Sequence, residues 1–337
     1  MAKILITGAS GFIGSFMVSR ALHEGFEVWA AVRPTSSRRY LQDEQIHFIE
    51  LNLGNDQQLK KQIDAFRAEH GAWDYVIHAA GATKCRSKAD FYRTNTDGTI
   101  HLARTLVESG ALPPEGRFVF ISSLSVFGAV HDHDYVPISE KDIPAANTAY
   151  GHSKLKAENL LKEIKGLNYI VLRPTGVYGP REKDYFMMAQ SIKRHIDFAV
   201  GYRPQVLTFI YVEDLVQAAF LALTHGTSGR AYLLSDGLKY TSRSFSDLLQ
   251  DELGVRHVLH ITAPLWFLRI ISFFAENFAK LTGSVSTLNS DKYNIMSQRN
   301  WQCDITPARK ELGYEPQWPL ERGVRAAVAW YRKARWL

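Results

Sequence analysis

The residues best suited to chemistry are Tyr150 and Lys154 in "YGHSK", with Ser123 upstream in "FISSLSVFG". A tyrosine and a lysine four positions apart share one helix face, about one turn from each other. A phenol with a pKa near 10 is a poor proton carrier at neutral pH. A neighbouring ammonium favours the phenolate and lowers that value by about 1–3 units. In that range, general acid–base help is worth ~10²–10⁴-fold. Ser123, at the end of an apolar run, is placed to hydrogen-bond a reacting carbonyl oxygen. Taken alone, the Tyr–Lys pair also reads as an ordinary exposed pair on a helix.

A second constellation lies near the start. "ILITGASGFIGS" sets Gly8, Gly11 and Gly14 after an apolar run and at the opening of a helical one. Glycines in that context let the backbone turn tightly and approach a pyrophosphate, which rests on unpaired amides at the helix start. The plain alternative is a glycine-rich turn. Dinucleotide-binding folds usually carry an acid about twenty residues further on, to hold the adenosine ribose. Here the corresponding run ends in Ala31 and Val32, whose side chains accept no hydrogen bond, and continues as "RPTSSRRYL". Arg33, with Ser36, Ser37 and Arg38, suits a 2′-phosphate instead. A charge-assisted hydrogen bond contributes roughly 1.5–3 kcal/mol, and each ~1.4 kcal/mol is tenfold in affinity. The expected cofactor is therefore NADP(H), with NAD(H) as the alternative and a solvated basic loop as the plain reading.

These residues need a scaffold, and the hydrophobic pattern supplies one. Strands are expected at Lys3–Thr7, Glu27–Val32, His47–Leu51, Tyr75–Ala79, Phe118–Ser122 and Tyr169–Arg173. Helices are expected at Gly11–Glu24, Asp56–Glu69, Ala89–Gly110 and Tyr150–Lys165. Strands that are apolar throughout, alternating with helices, indicate a parallel sheet covered on both faces. The expected fold class is α/β, a Rossmann-type doubly wound parallel sheet with a smaller C-terminal substrate-binding lobe. The pattern loosens after Gly176: a helix at Phe186–His195, a strand around Val206–Val212, a helix from Glu213 and a strand at Ala231–Leu234. Residues 1–175 are expected to bind the dinucleotide and carry the catalytic set. Residues 176–337 are expected to be mainly the substrate lobe, with some segments returning to the sheet.

The chain has 337 residues, 46% of them hydrophobic, and a net charge of +6. A chain of this size buries roughly three quarters of its unfolded surface, so its core needs no metal or disulfide. Cys85 and Cys303 lie far apart and have no zinc or redox spacing. No metal is expected. The mild, scattered charge fits weak attraction to anionic ligands or lipid head groups, not a nucleic-acid footprint. "MAKILITG" enters an apolar strand directly, without a signal-peptide layout. A reduced, cytoplasmic setting follows as an expectation.

Taken with "VIHAAG" (Val76–Gly81), "TNTDGT" (Thr94–Thr99) and "VLRPTGVYGPR" (Val171–Arg181), these motifs resemble the extended short-chain dehydrogenase/reductase superfamily. The resemblance runs almost the whole length, including "WQCDITPARKELGYEPQWPLERGVRAAVAWYR". It implies that Lys154 also holds the nicotinamide ribose and that Asn95 matches an asparagine near the proton relay. It implies cofactor contacts at Thr7, Ser10, Phe12, Ile13, Leu53, Ala79, Ala80, Gly81 and Pro174, and through the backbone of Val177. Asn52 stands where relatives usually keep an aspartate for the adenine amino group; its amide oxygen can accept the same bond.

Two departures bear on the reaction. Dehydratase relatives have an acid pair after the catalytic Ser/Thr, where this chain has Leu124 and Ser125. Nucleotide-sugar epimerase relatives usually place a diphosphate-clamping arginine before the "FIYVED" motif, where this chain has Leu207 and Thr208. Arg203 or Arg181 is the available substitute. "PLWFLRIISFFAENFAKL" (Pro264–Leu281) carries more large apolar groups than one ordinary amphipathic face holds, among them Trp266, Phe267, Ile270, Ile271, Phe273, Phe274 and Phe278. Arg269 and Glu276 interrupt it, which argues against a membrane span. Such a helix roofs an apolar pocket, lies in a lipid interface, or makes an ordinary packing or dimer contact. It resembles the C-terminal parts of 3β-hydroxysteroid dehydrogenase-like and lipid-ketone reductase members.

The reading that follows is an NADP(H)-dependent carbonyl reductase or alcohol dehydrogenase for a hydrophobic, lipid-like substrate such as a 3-ketosphingoid base. An NAD-dependent nucleotide-sugar epimerase/dehydratase is the first alternative, and a catalytically silent NADP-binding scaffold the second. The resemblance also implies a homodimer built on the helices at Ala89–Gly110 and Tyr150–Lys165.

Overall fold

The computed structural model describes residues 1–282 and 290–337, with side chains of 276–282 outside the description. Seven strands form one parallel sheet. In chain order they begin with β1 (Lys3–Thr7), β2 (Glu27–Val32), β3 (His47–Glu50), β4 (Tyr75–His78), β5 (Arg117–Ile121) and β6 (Tyr169–Pro174). Three short strands outside this sheet or leading to its edge follow: β7 (Gly176–Tyr178), β8 (Ile196–Val200) and β9 (Phe209–Tyr211). The seventh sheet strand is β10 (Ala231–Leu234), and β11 (Leu259–Ala263) pairs with β8. The spatial order is β10-β6-β5-β4-β1-β2-β3, the doubly wound arrangement with its reversal between β1 and β4.

Alternate residues of each strand serve opposite faces. Ile4 and Ile6 of β1 join one core with Val28, Ala30, Val119 and Ile121. Leu5 joins the other with Trp29, Ala31, Val76, Phe118 and Phe120. On the first face pack α1 (Phe12–His23) and, from later in the chain, the helix Val212–Thr224. On the second pack α2 (Asp56–His70), α4 (Gly98–Glu108) and α5 (Ala149–Leu161). Both faces of the sheet are covered, which is why its strands are apolar throughout.

The expected single helix Ala89–Gly110 is instead three pieces. A four-residue α3 (Lys88–Phe91) runs into a π-type turn over Tyr92–Asp97 and then into α4. A π-turn inserts one extra residue into the helical ladder, and hydrophobic spacing does not reveal it. Such turns are frequent at functional sites.

The remaining helices are α6 (Asp184–Lys193), α7 (Val212–Thr224), α8 (Ser244–Leu253), α9 (Leu265–Thr282), α10 (Ser290–Ser297) and α11 (Leu320–Lys333). β10 and α7 belong to the main sheet and its cover, although they lie past residue 176. Among the described residues, no helix is long and apolar enough to cross a membrane. No group of three or more His, Cys, Asp or Glu among them could hold a metal ion.

For α9 the expected alternatives are a pocket roof, a lipid-interface helix and a packing or dimer contact. Its residues Trp266, Phe267, Ile270, Phe273 and Phe274 recur at helical spacing and face outward, with Trp266 and Phe274 65% and 66% exposed. Among the described side chains of α9, Leu268 and the polar Ser272 are the buried ones. The apolar stripe of this helix therefore points away from the core. The side chains of Glu276 and Phe278 lie outside the described residues.

Candidate active site

The turn between β1 and α1 is built by its glycines. Gly8 adopts a left-handed φ of 66°, and a Cβ there would come within 2.7 Å of the Ala80 nitrogen. A Cβ on Gly14 would meet the Gly8 carbonyl oxygen at 2.1 Å. Only glycine fits either place. Gly11 begins α1 without a side-chain cap, and the first turn holds no acid. The orphan amides around Phe12 and Ile13 thus remain available to an anion at the positive end of the helix. Ser10 and Gly11 lie on the accessible side of this turn, and Thr7 is buried beneath it. Thr7 Oγ1 accepts from the Ala80 amide at 3.2 Å, tying the first turn to the β4 turn. This uncapped, side-chain-free cradle fits a pyrophosphate.

Beyond β2, Arg33, Ser37 and Arg38 are exposed and Ser36 is half-buried. The Arg33 amide donates to Ser36 Oγ at 3.1 Å, and the Ser36 amide donates back to the Arg33 carbonyl at 2.9 Å. That small loop presents the Arg33 side chain outward. The exposed Arg38 rests its guanidinium 4.1 Å over the Phe48 ring. Asn52 is engaged within its own loop, with Oδ1 accepting from the Gly54 amide at 3.2 Å and Nδ2 donating to Gln58 Oε1 at 2.8 Å. The carbonyl of the neighbouring Leu53 lies 3.2 Å from His101 Nδ1.

The chemistry-bearing residues gather at the C-terminal ends of β4, β5 and β6. Asn95 sits in the π-turn, fully buried. Its Oδ1 accepts from the Ala82 amide at 2.7 Å, and its Nδ2 donates to the Ala82 carbonyl and to Ser153 Oγ, each at 3.0 Å. Lys154 Nζ donates to the Ile121 carbonyl at 2.9 Å and stands 4.6 Å over the Phe120 ring. A Cβ on Gly81 would lie 3.0 Å from Lys154 Nζ and 3.2 Å from Asn95 Oδ1. Gly81 therefore lets these two side chains approach the β4 turn formed with Ala79 and Ala80. Pro174 is buried at the end of β6, and Val177 is half-buried in β7.

Tyr150 follows the N-terminus of α5, which Thr148 caps by accepting from the Gly151 amide at 2.9 Å. Ser123 is the side chain that acts on the Tyr150 phenol, favouring its ionised form. Ser123 Oγ also accepts from the Ser125 amide at 3.2 Å, which holds it at the end of β5. The phenol corrects one expectation. Burial pushes its pKa above the ordinary value, opposed by Ser123, and Lys154 does not bring it below. Burial also pulls the Lys154 ammonium down to about 8, with Glu158 working against that fall. The sequence displayed the neighbouring charge but not the depth at which both groups sit.

Residues not anticipated complete the arrangement. His78 is fully buried between Thr7 Oγ1 at 2.7 Å and Thr99 Oγ1 at 2.9 Å. Burial first, then the charge of Lys154, lowers its pKa to about 3. Ser153 supports Asn95, and Glu158 stands one turn beyond Lys154. Their signal was the same helical spacing that linked Tyr150 to Lys154. Asp291 of α10 accepts from the Ala149 amide at 2.8 Å, at the first turn of the helix bearing Tyr150.

The positions that separate reaction types are also defined. Leu124 is buried in the core, and Ser125 Oγ lies 3.2 Å from Ser123 Oγ. Thr208 is buried, with Oγ1 donating to the Trp301 carbonyl at 2.6 Å and lying 3.1 Å from Thr175 Oγ1. The Arg181 guanidinium is sandwiched between Phe16 at 4.3 Å and Tyr40 at 4.4 Å, and its Nη1 donates to Ser15 Oγ at 2.7 Å.

A doubly wound sheet with a bare glycine cradle at the β1–α1 turn and a Ser–Tyr–Lys set beside it defines a nicotinamide-dinucleotide enzyme. Residues 4–235 match the family model described as the NAD dependent epimerase/dehydratase family, and the chain belongs to that family of extended short-chain dehydrogenases/reductases. UDP-glucose 4-epimerase of Vibrio cholerae is 26% identical, over 98% of this chain and 96% of that protein. Ceramide reductase of Caulobacter vibrioides is 24% identical, over 99% of this chain and 96% of that protein. The crystal structure of the Bordetella bronchiseptica enzyme WbmG in complex with NAD and UDP has a TM-score of 0.76 at 21% identity. It covers 98% of this chain, which covers 95% of it.

Proposed function

We propose that this protein is an NADP(H)-dependent reductase of a carbonyl on a hydrophobic, lipid-like substrate, of the kind a 3-ketosphingoid base exemplifies. The observation that carries the reading is the buried Lys154 ammonium at the Ile121 carbonyl, one helical turn from Tyr150 on α5 and beside Ser123 at the end of β5. Bound in the reduced form, the nicotinamide supplies hydride to the carbonyl carbon. Ser123 orients the carbonyl oxygen, and Tyr150 delivers the proton to it. Lys154 would hold the nicotinamide ribose, and Asn95 stands near the proton relay. The glycine cradle would hold the pyrophosphate, the β4 turn would line the cofactor, and Arg33 with Ser36, Ser37 and Arg38 would receive the 2′-phosphate.

Residues 1–175 supply this machinery and residues 176–337 mainly the substrate lobe. Leu124, Ser125 and Thr208 leave neither a dehydratase acid pair nor a clamp at the usual epimerase position. Of the two substitute clamps, Arg181 is already occupied by Phe16, Tyr40 and Ser15, whereas Arg203 is exposed. The outward apolar stripe of α9 and the likeness to a ceramide reductase favour a lipid substrate met at a membrane surface. The reading includes a homodimer across α4 and α5, whose mass ultracentrifugation measures.

A second reading, a nucleotide-sugar epimerase that retains NAD, is favoured by the full-length likeness to the Vibrio enzyme. Oxidation of NADPH is followed across a panel of long-chain keto lipids and UDP-sugars. Turnover of keto lipids supports the reductase. Tightly held NAD in the purified protein, with UDP-sugar turnover and no ketone reduction, replaces it with the epimerase.

A further inference from the structure

Lys154 is only 3% exposed, so something must sustain its charge inside the protein. One turn further along α5 lies Glu158, whose side chain is 2% exposed. Arg173 of β6 brings Nη2 to 2.6 Å from Glu158 Oε2, and its Nε lies 3.2 Å from both carboxylate oxygens. Ser122 donates its hydroxyl to Oε1. Ser122 stands between the two residues the site depends on. Ile121 before it accepts from Lys154, and Ser123 after it is the serine of the proposed catalytic set.

We propose that Glu158 is a positioning residue for the proposed reaction. Gripped by Arg173, it anchors the β5 terminus through Ser122 and keeps Lys154 an ammonium at the Ile121 carbonyl. This deepens the Tyr150–Lys154 reading and rests on it.

Other charges facing Lys154 do not replace Glu158. His78 on β4 is buried and neutral at ordinary pH, and Tyr150 on α5 holds its proton. Arg173 on β6 is a cation already paired with Glu158. Glu158 is the group that favours the charged form of Lys154, while burial disfavours it.

The test compares full-length wild type with Glu158→Gln and with Glu158→Gln/Arg173→Met, which removes both buried charges. Dinucleotide binding is read from nicotinamide fluorescence between acid and alkaline pH, alongside ketone turnover. Because the ammonium is the working form, binding is present below the Lys154 pKa and lost as pH rises through it. In wild type that loss is expected to centre near 8. Both variants are expected to lose binding at a pH lower by about one unit or more. A double variant that folds and keeps the wild-type profile overturns the proposal, because it makes Glu158 merely the partner of Arg173. Should the single variant fail to fold, the double variant carries the comparison. Should the double variant fail as well, Glu158→Asp carries it: the shorter carboxylate must preserve the alkaline limb while loosening Ser122. If wild type binds dinucleotide but turns over no ketone, the reductase reading fails. The binding profile still decides the role of Glu158.

Discussion

The guanidinium of Arg181 lies 4.4 Å over the ring of Tyr40, and this contact joins two distant parts of the chain. Tyr40 closes the loop that begins at Arg33, and Arg181 follows β7 with a left-handed φ of 75°. The far side of Arg181 rests on Phe16 of α1. The loop proposed to receive the 2′-phosphate is thus fixed by a residue from the second half of the sequence. Arg33 is held out on a pinned support.

Arg33→Ala is expected to weaken NADPH binding about tenfold or more, the loss of one charge-assisted bond. NADH binding should barely change. Titration of both dinucleotides by fluorescence checks this, and an equal loss for both would make Arg33 an ordinary loop residue.

Tyr150→Phe removes the proton donor and leaves the ring. Turnover is expected to fall by ~10²–10⁴-fold, with dinucleotide binding and the melting temperature near wild type. Steady-state kinetics on the best ketone measures it. An unchanged kcat would assign the proton to another group.

The buried His78 makes a pH prediction. Its folded pKa is about 3, against 6.5 for the ordinary side chain. Below 6.5 the unfolded chain takes up a proton that the folded chain refuses, so stability falls as pH drops from 6.5 towards 3. The slope approaches ~1.4 kcal/mol per pH unit inside that window. Urea unfolding of wild type and His78→Gln at several acidic pH values tests this. The variant should lose that part of the slope.

For α9, Trp266→Ser/Phe274→Ser is expected to abolish sedimentation with phospholipid vesicles. Reduction of a short, water-soluble ketone should persist. Vesicle binding that survives both changes would move the membrane-facing surface elsewhere.

Much of the sheet was legible because its strands are continuous apolar runs. The bounds Lys3–Thr7, Glu27–Val32 and Ala231–Leu234 agree residue for residue. β8 and β11 were not anticipated: they are short, and Phe198, Leu259 and Ile261 face solvent, so no inward–outward alternation marks them. α8 and α10 went unnoticed as well, being short helices of ten and eight residues whose spacing stands out little. At the site, the glycines and the Tyr–Lys spacing announced themselves through local geometry. The raised phenol and lowered ammonium did not, because burial comes from the packing of distant elements. His78 looked like part of a strand, and only the approach of Thr7 and Thr99 reveals it as a polar joint.

The position of β10 has a consequence for how the chain acquires its shape. Its backbone completes β6, yet it lies more than fifty residues beyond it in sequence, after α6, β7, β8 and β9. On the ribosome, β6 must wait with one edge open until residue 234 emerges, and an open edge is a template for joining another chain. A fragment cut at residue 175 would keep that raw edge and lose α7 from the sheet's first face. The first half is therefore no detachable module, and a gene split there would yield a sticky product instead of a nucleotide-binding one.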